Sequence, residues 1–482
     1  MSRATEANML KRRSLVELAS VSVMISAAVA CSSEPPSSPP GAPSGGSEVN
    51  ADTASNAKTL SSRLTATGFT VQEGRFSQLD MTACCATSCA GNNPSSPYFA
   101  FYVPPAPGGI PDPNPAPDGM SSAFRMDASE AIVFVGPTPP EVRYFGFTPY
   151  ITDRATAGGG RRSVAASVSE TLNDLVIRTA GASPFGQQTA VVVAMNEGAR
   201  NAAINALVAS GVPLSAINTL VFDPATVIPG LDANGDTLSV LFRVAVPSSK
   251  DALDAWLTNP GAHVYRMTPT APLNNTTPLK VQSRLKNRSN TETALTSAVD
   301  RLRAAIVAQY PGYVAQDLSV DDGVPDPSAC IAGTAICAFD NRDTTYPAIS
   351  PRVLFQSDDD FYVAYGVDHQ VSGKVSYANV SVYAMEHLVG LESVASPAYP
   401  GSAQKLLGDG DPDAPKLYAW KIARSCGSDP YCMTVDKGAC PTGMENGKLG
   451  SIAFRTYLEP SSKTAPLPST LVRDRVIRFR RP

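Results

Sequence analysis

The stretch TAVVVAMNEGARNAAINALVASGVPLSAINTLVF, residues 189–222, decides how the chain is expected to fold. It opens on a continuous apolar run typical of a buried strand, and Asn196 follows as a helix N-cap. Leu207 and Val208 then recur at helical spacing until Gly211 ends the pattern. INTLVF returns as a second strand. Such a strand-helix-strand unit predicts helices packed on a mixed or parallel sheet.

The flanking sequence extends this pattern in both directions. Upstream, runs such as YFAFYV (98–103) and AIVFVG (131–136) predict short strands separated by proline-rich turns. Downstream, residues 238–267 contain a second strand-helix-strand unit, LSVLFRVAV, DALDAWL and HVYRM. Residues 268–290, rich in threonine, proline and asparagine, form the best candidate for a domain boundary.

The clearest helix is predicted just after that boundary. Ser289 and Glu292 have capping-box spacing, and an apolar stripe from Leu295 to Tyr310 follows until Pro311. The remaining sequence alternates like antiparallel strands, and the basic ending RDRVIRFRRP is typical of an edge strand protected by charge. The fold class predicted is α+β, with a strand-rich N-terminal segment, central strand-helix-strand units, a mainly antiparallel C-terminal sheet and disulfide staples.

Residues 11–30, KRRSLVELASVSVMISAAVA, combine a basic patch, an apolar run and small residues, which is typical of an export signal. Ala28, Val29, Ala30 and Cys31 resemble the lipobox of bacterial lipoproteins, although leucine is the usual first residue. The resemblance implies cleavage before Cys31 and attachment of acyl chains such as palmitate to this residue. The alternative is an ordinary Ala-x-Ala cleavage site that leaves Cys31 free to pair elsewhere.

The residues after Cys31 are expected to form a tether. They are rich in serine, proline and glycine and have almost no large apolar side chains, so they cannot offset the entropy of ordering. Ser32 in the second mature position implies, by the same resemblance, sorting to the outer membrane of a Gram-negative bacterium. Arg12 and Arg13 resemble a twin-arginine signal, but that route carries folded proteins, and expected disulfides favour the general secretory route.

The length and the net charge of the chain limit the number of domains and the classes of partner. The chain has 482 residues, with 39 lysines and arginines against 43 acids and a net charge of −4, so no basic field points to nucleic acid. Four segments are expected: a signal peptide (1–30), a tether (31–57), an α+β domain (58–275) and a second α+β domain (276–482). The membrane, reached through the N-terminal lipid, is the partner indicated, and the ligand or substrate stays open.

The nine cysteines divide into Cys31 and an even remainder. An even number in an exported protein predicts up to four disulfides. Three precede the middle of the chain and five follow it, so at least one bridge must join the two parts if all are paired. Cys330 and Cys337 are expected to close a local loop. The remainder comprises Cys84, Cys85, Cys89, Cys330, Cys337, Cys426, Cys432 and Cys440. Their spacing lacks a C-x2-C pair, so no zinc site is predicted.

His369 is the best candidate for a catalytic base among the three histidines. The stretch YGVDHQVSGK, residues 365–374, places Asp368, His369, Ser372 and Lys374 in a predicted hairpin turn. An orienting carboxylate, a base and a nucleophile within hydrogen-bond reach define a hydrolytic centre. The simpler interpretation, a polar hairpin tip without catalysis, is favoured.

Acidic loops supply the candidates for a metal. Asp232, Asn234 and Asp236 resemble the start of a calcium loop, but the glycine is misplaced and Arg243 stands where the final glutamate belongs. GDGDPD, residues 408–413, offers further oxygen ligands, although turns collect aspartate without any ion. No cofactor is therefore predicted, with a structural calcium ion as the alternative.

Three hypotheses of function follow. The first is an envelope-anchored bacterial lipoprotein with a binding or structural role, and this hypothesis leans away from an enzyme. The second is a secreted hydrolase centred on His369 and a nearby carboxylate. The third is a calcium-stabilised surface adhesin.

Overall fold

The computed structural model describes residues 58–482. This part of the chain is strand-rich, with several sheets, short helices and disulfides, and is broadly α+β, as the sequence predicts. The predicted signal peptide, the tether, Ser32 and the lipid-attachment residue Cys31 lie outside the described residues. No helix within residues 58–482 is long and apolar enough to cross a membrane.

A ten-stranded sheet forms the N-terminal half. Its strands are β1 (Phe69–Gln78), β2 (Tyr98–Tyr102), β3 (Ala131–Pro137), β4 (Val142–Ala155), β5 (Arg161–Ser167), β6 (Leu172–Asn173), β7 (Gln188–Ala194), β8 (Ile217–Val221), β9 (Thr237–Pro247) and β10 (His263–Pro269). Their order is β5-β4-β9-β2-β1-β10-β3-β7-β8, with β6 beside β4. Only β7 and β8 pair in parallel among these described strands.

Three helices accompany this sheet: α1 (residues 58–65), α2 (Glu197–Ala209) and α3 (Lys250–Thr258). The side chain of Asn196 caps α2 by accepting a hydrogen bond from the Ala199 amide at 2.9 Å. The predicted apolar face is only partly right, because Leu207 is buried whereas Val208 is 45% exposed. Alanines supply the rest of the buried face, and their small side chains let the helix lie close to the sheet.

The second predicted strand-helix-strand unit has a different arrangement from the first. Helix α3 joins β9 to β10, but β2 and β1 lie between them in the sheet. Each step from β9 to β10 is antiparallel, so three such steps leave these two strands pointing in opposite directions. Local periodicity identified the elements, and long-range pairing set their order.

The ten-stranded sheet is rolled around an aromatic core. Strands β3 and β4 are five steps apart, which corresponds to roughly 24 Å in a flat sheet. The ring centroids of Phe134 on β3 and Phe147 on β4 are nevertheless 5.2 Å apart. Phe76, on the intervening β1, contacts both of these rings. One face of the sheet thus closes on itself, and α1 and α2 cover part of the other.

Two packed sheets form the C-terminal half, where the sequence predicted one. The five-stranded sheet has the order β11-β21-β15-β18-β19 and the six-stranded sheet the order β12-β13-β20-β16-β17, with β14 beside β20. The strands are β11 (Val314–Leu318), β12 (Val320–Asp322), β13 (Pro347–Ile349), β14 (Arg352–Val353), β15 (Phe361–Val367), β16 (Tyr377–Ala384), β17 (Val389–Ala395), β18 (Leu417–Ala423), β19 (Cys432–Thr434), β20 (Leu449–Tyr457) and β21 (Arg475–Arg480).

Helix α4 (Thr296–Gln309) covers the outer face of the five-stranded sheet. Its buried residues include Val299, Leu302 and Ile306, so the predicted apolar stripe is confirmed. The predicted capping box is wrong, because neither the first turn of α4 nor the short 3-10 turn before it has a side-chain cap. Glu292 instead directs its carboxylate away from the helix.

The basic C-terminal strand β21 is not an edge strand, contrary to expectation. It lies between β11 and β15, and Val476, Ile477 and Phe479 are buried. Acids reach two of its arginines: Arg475 bonds to Asp300 at 2.6 Å, and Arg480 lies 3.5 Å from Asp360. Buried apolar residues on both faces of β21 favour a position inside the sheet, although the charged pattern predicted an edge.

The two halves exchange segments. Cys85 is bonded to Cys440 across 355 residues, which is the crossing bridge that the cysteine count requires. The residues around Cys84 and Cys89, which form a second bridge, pack into the core of the C-terminal half. In return, helix α5 (Pro327–Ile331) packs against β5 of the N-terminal half. The other bridges are Cys330–Cys337, as expected, and Cys426–Cys432.

Candidate functional site

His369 lies in a connection between the two C-terminal sheets. Strands β15 and β16, which flank it, do not pair with each other but belong to the five-stranded and six-stranded sheets respectively. The predicted hairpin is therefore wrong, because each strand finds partners far along the chain. His369 is 1% exposed, so no substrate reaches it from solvent in this conformation.

Both ring nitrogens of His369 face carboxylates. Nδ1 lies 2.9 Å from both oxygens of Glu292, and Nε2 lies 3.4 Å from Asp474. The hydroxyl of Tyr418 donates to the other oxygen of Asp474 at 2.7 Å. Burial disfavours the charged ring, but the two carboxylates outweigh it and raise the pKa of His369 to about 10. The two carboxylates thus favour the imidazolium form of the ring at neutral pH.

The other predicted catalytic residues do not form a triad with His369. Asp368 accepts hydrogen bonds from the amides of Gln370 and Val371 at 3.1 and 3.3 Å, so it caps the turn. Ser372 donates its hydroxyl to Glu292 at 2.6 Å rather than to the histidine. His369 and Ser372 thus both contact Glu292 rather than each other.

Glu292 is the residue that sequence reasoning missed. It joins the His369 ring, the Ser372 hydroxyl and the amide of Val472, the last at 3.0 Å. Burial raises the pKa of Glu292. The charge of His369 and these hydrogen bonds lower it by more than burial raises it, so the net shift is downward. Its sequence position suggested a helix cap, and no local pattern indicates a partner 77 residues away. These residues, His369, Glu292, Asp474, Ser372 and Tyr418, are called the His369 cluster below.

A larger feature lies between the two halves. This interdomain groove has a volume of about 1530 Å³, whereas the hollow beside Ser372 has about 300 Å³. Its main walls are residues 223–226, 277–286, 322–328 and 340–346. Both halves contribute, and the segment that joins them forms one rim. The groove is thus a product of the way the halves are joined, which no single segment of the sequence predicts.

The joining segment, residues 276–291, is held at both ends and is called the strap. On the N-terminal side, the Leu279 amide donates to Met195 at 2.8 Å. On the C-terminal side, the Asn287 amide group donates to Ser461 at 2.9 Å. Between them Arg284 forms an ion pair with Glu170 at 3.4 Å. The strap therefore has a defined path along the groove.

A tyrosine-rich interface behind the groove holds the two halves together. Arg243 of the N-terminal half lies 5.3 Å from the ring centroid of Tyr98 and donates to the carbonyl of Phe339 at 2.9 Å. Arg455 of the C-terminal half donates to the carbonyl of Gly91 at 2.5 Å. Neither arginine has a carboxylate within 4.0 Å among residues 58–482, and each donates to one carbonyl across this interface.

Two buried carboxyls at this interface have raised pKa values. Burial raises the pKa of Asp174 and of Asp343 to about 7. Asp343 accepts hydrogen bonds from Asn173 and Tyr144 at 3.0 and 3.1 Å. Asp174 accepts one from the Phe145 amide at 3.3 Å. Both carboxyls therefore carry a proton over part of the physiological pH range.

The acidic loops have internal partners. Arg154 binds both carboxylate oxygens of Asp236, at 2.8 and 2.7 Å, and Asp232 accepts from the Asn234 amide at 2.9 Å. In GDGDPD, Arg301 pairs with Asp411 and Asp413. Asp232, Asp236, Asp411 and Asp413 thus each have a donor within the protein. The sulfur atoms of Cys84, Cys85 and Cys89 lie close together, but each is in a disulfide.

Comparisons with known proteins give no family. No family model matches the chain, and no curated protein is significantly similar. Among solved structures, an uncharacterised protein from Burkholderia cenocepacia is similar with a TM-score of 0.39 and 12% identity, over 89% of this chain and 86% of that chain. The partial N-terminal region of an enterococcal surface protein is similar with a TM-score of 0.17 and 8% identity, over 84% and 86%. Such distant similarities carry no function to this chain.

Proposed function

We propose that the protein is an envelope-anchored bacterial lipoprotein that binds a ligand in the interdomain groove. The observation that carries the proposal is the groove itself. Small-molecule sites generally have volumes of roughly 300–1,000 Å³, and the volume of about 1530 Å³ exceeds that range. An extended ligand fits such a site better than a metabolite does.

The way the halves are joined supports a preformed site. The Cys85–Cys440 bridge, the exchanged segments and the buried arginines all join residues that are far apart in the chain. A rigid site lowers the entropy that binding must overcome. The disulfides also support an oxidising, exported environment. The lipid at Cys31 and the outer-membrane location rest on the lipobox resemblance alone.

A blocking substitution tests the groove as a binding site. Ala332 lines the groove and is exposed, so Ala332→Trp is expected to fill part of it without disturbing the core. Ala182→Trp, on an exposed loop outside the groove, is the matched control. The mature chain with Cys31→Ser is screened on arrays of polysaccharides, peptidoglycan fragments and peptides. Ligands that bind the control but not Ala332→Trp support the proposal, and ligands equally bound by both contradict it.

The anchor is tested separately. Mass spectrometry of the mature N-terminus is expected to find acylated Cys31, and Cys31→Ser is expected to release the protein from the membrane fraction. An unmodified N-terminal residue other than Cys31 would overturn the lipoprotein assignment.

A further inference from the structure

Two arginines of β21 lie on the face of the five-stranded sheet that is turned toward the six-stranded sheet. Successive side chains of a strand lie on opposite faces. Ile477 and Phe479 pack with α4 on the outer face, whereas Val476 lies in the core between the sheets. Arg478 and Arg480 share the face of Val476, so both side chains lie on the inner face.

Both guanidinium groups have buried N–H donors without an acceptor. The Nε and Nη2 atoms of Arg478 and of Arg480 are buried, and no residue between 58 and 482 accepts a hydrogen bond from them. Within the same range Arg478 has no ion pair, and Arg480 has one, with Asp360 at 3.5 Å. Leaving buried charged donors unsatisfied is costly, so these donors favour an acceptor from outside the chain.

A third arginine comes from the opposite sheet. Arg352 lies on β14, beside β20 of the six-stranded sheet, and its Nε donates to the carbonyl of Ser350 at 3.3 Å. Tyr362 is directly opposite Arg478 in the five-stranded sheet. Burial raises the pKa of Tyr362, and the charges of Arg480 and Arg352 both oppose that rise. Arg352, Arg478 and Arg480 are thus gathered near one tyrosine and are called the arginine cluster.

The acids near the arginine cluster do not neutralise it. Asp360 is the one carboxylate within 4.0 Å of any of its three members in the part of the chain that the structure describes. Asp317 lies on the outer face of β11, where it pairs with Arg303 of α4. Asp359 pairs with Arg481 at the surface. Three cations and one nearby anion leave two positive charges in a partly buried position.

The arginine cluster is open to solvent at one edge of the five-stranded sheet. Strand β11 is the edge strand, and its exposed residue Gln316 is directly opposite Arg478. The side chain of Arg480 is 27% exposed. An anion can therefore reach the guanidinium groups from this edge.

We propose that the arginine cluster binds a phosphate group in its dianionic form. A guanidinium group donates parallel N–H bonds to two oxygens of a carboxylate or a phosphate. A carboxylate has one charge and two oxygens in one plane, whereas a phosphate has two charges and directs its oxygens to several sides. Arginines that come from two sheets and leave two positive charges match the phosphate. None of the three lines the interdomain groove, so the site is separate from the one proposed above.

Calorimetry at about pH 8 and constant ionic strength tests the proposal on the mature Cys31→Ser chain. Sodium phosphate is the probe and is expected to bind, whereas acetate and chloride are not. Arg478→Gln is expected to weaken phosphate binding about tenfold or more, because charge-assisted hydrogen bonds are lost. Arg481→Gln removes the same charge from a side chain that is 64% exposed, and this control is expected to change binding less than about twofold.

The melting temperature separates binding from folding. Arg478 has no hydrogen bond or ion pair with residues 58–482, so Arg478→Gln is expected to melt at the same temperature as the natural chain in phosphate-free buffer. Phosphate is expected to raise the melting temperature of the natural chain and not that of Arg478→Gln. A clear fall for Arg478→Gln without phosphate would show that the fold itself uses this arginine and would overturn the proposal.

Vesicles distinguish free phosphate from the phosphate of a lipid headgroup. Binding to vesicles of phosphatidylcholine with phosphatidic acid, but not to phosphatidylcholine alone, would assign a headgroup if Arg478→Gln abolishes it. Binding of sodium phosphate without binding to these vesicles would assign free phosphate. Equal binding of acetate or chloride, equal weakening by Arg481→Gln, or no binding of either phosphate probe would overturn the proposal.

Discussion

The His369 cluster and the interdomain groove both contain charged side chains. Those of the cluster are paired with one another, whereas two lysines of the groove are not. In the cluster, both nitrogens of His369 face carboxylates, hydroxyl groups complete the network, and the histidine is 1% exposed. In the groove, Lys280 and Lys286 have no partner among the described residues and lie open to a cavity. Groups that satisfy one another in a dry core stabilise the fold, whereas groups left unsatisfied in a cavity are free to bind a ligand.

The largest expected effect comes from breaking the His369 cluster. His369→Ala leaves the carboxylates of Glu292 and Asp474 buried together without a cation, so we expect a loss of about 3–5 kcal/mol in the free energy of unfolding. Urea denaturation measures it. The control is His387→Ala, whose side chain is partly exposed, with an expected change within about 0.5 kcal/mol. A loss below about 1 kcal/mol for His369→Ala would mean that the cluster does not stabilise the fold.

The next effect concerns the junction that forms the groove. Replacing Cys85 and Cys440 by serine opens a loop of 355 residues and is expected to lower the free energy of unfolding by about 2–4 kcal/mol. Replacing Cys426 and Cys432, six residues apart, is the matched control and is expected to have a smaller effect. Hydrogen exchange should show faster opening of the strap in the first variant and not in the second. Equal losses of unfolding free energy in the two variants would indicate that the bridge between Cys85 and Cys440 does not stabilise the junction.

A buried carboxyl at the junction predicts a dependence on pH. The pKa of Asp174 is about 7 in the folded protein and near 4 in the unfolded chain, so the folded state holds the extra proton between these values. Stability is therefore lost as the pH rises from about 4 to about 7. Asp174→Asn removes this loss. We expect the difference in free energy of unfolding between this variant and the natural chain to be about 1–2 kcal/mol more in favour of the variant at pH 8 than at pH 5. Asp409→Asn, on an exposed loop, should show no such difference.

Sequence reasoning found the elements that local patterns encode. The apolar run before Asn196, its helix and the returning strand all form, and the stripe around Leu302 is buried. Patterns of this kind report which side chains are buried but not which strand becomes the partner. Strands β15 and β16 were therefore expected to form a hairpin, and Glu292 a helix cap, because both interpretations used only neighbours in the chain. The groove was not foreseen, since its walls come from four separate segments spread between residues 223 and 346.

The smallest effect is expected for Lys286, and it is measured against that of Arg284, its neighbour on the strap. Arg284 is 19% exposed in its side chain and bonds to Glu170 and to the carbonyls of Thr171 and Lys463, so Arg284→Gln is expected to cost about 1–3 kcal/mol of folding free energy. Lys286, two residues on, has no such bonds, and Lys286→Gln should change stability by less than about 0.5 kcal/mol. Thermal or urea denaturation of the two variants measures the contrast. A large loss for Lys286→Gln would show that this lysine is committed to the fold.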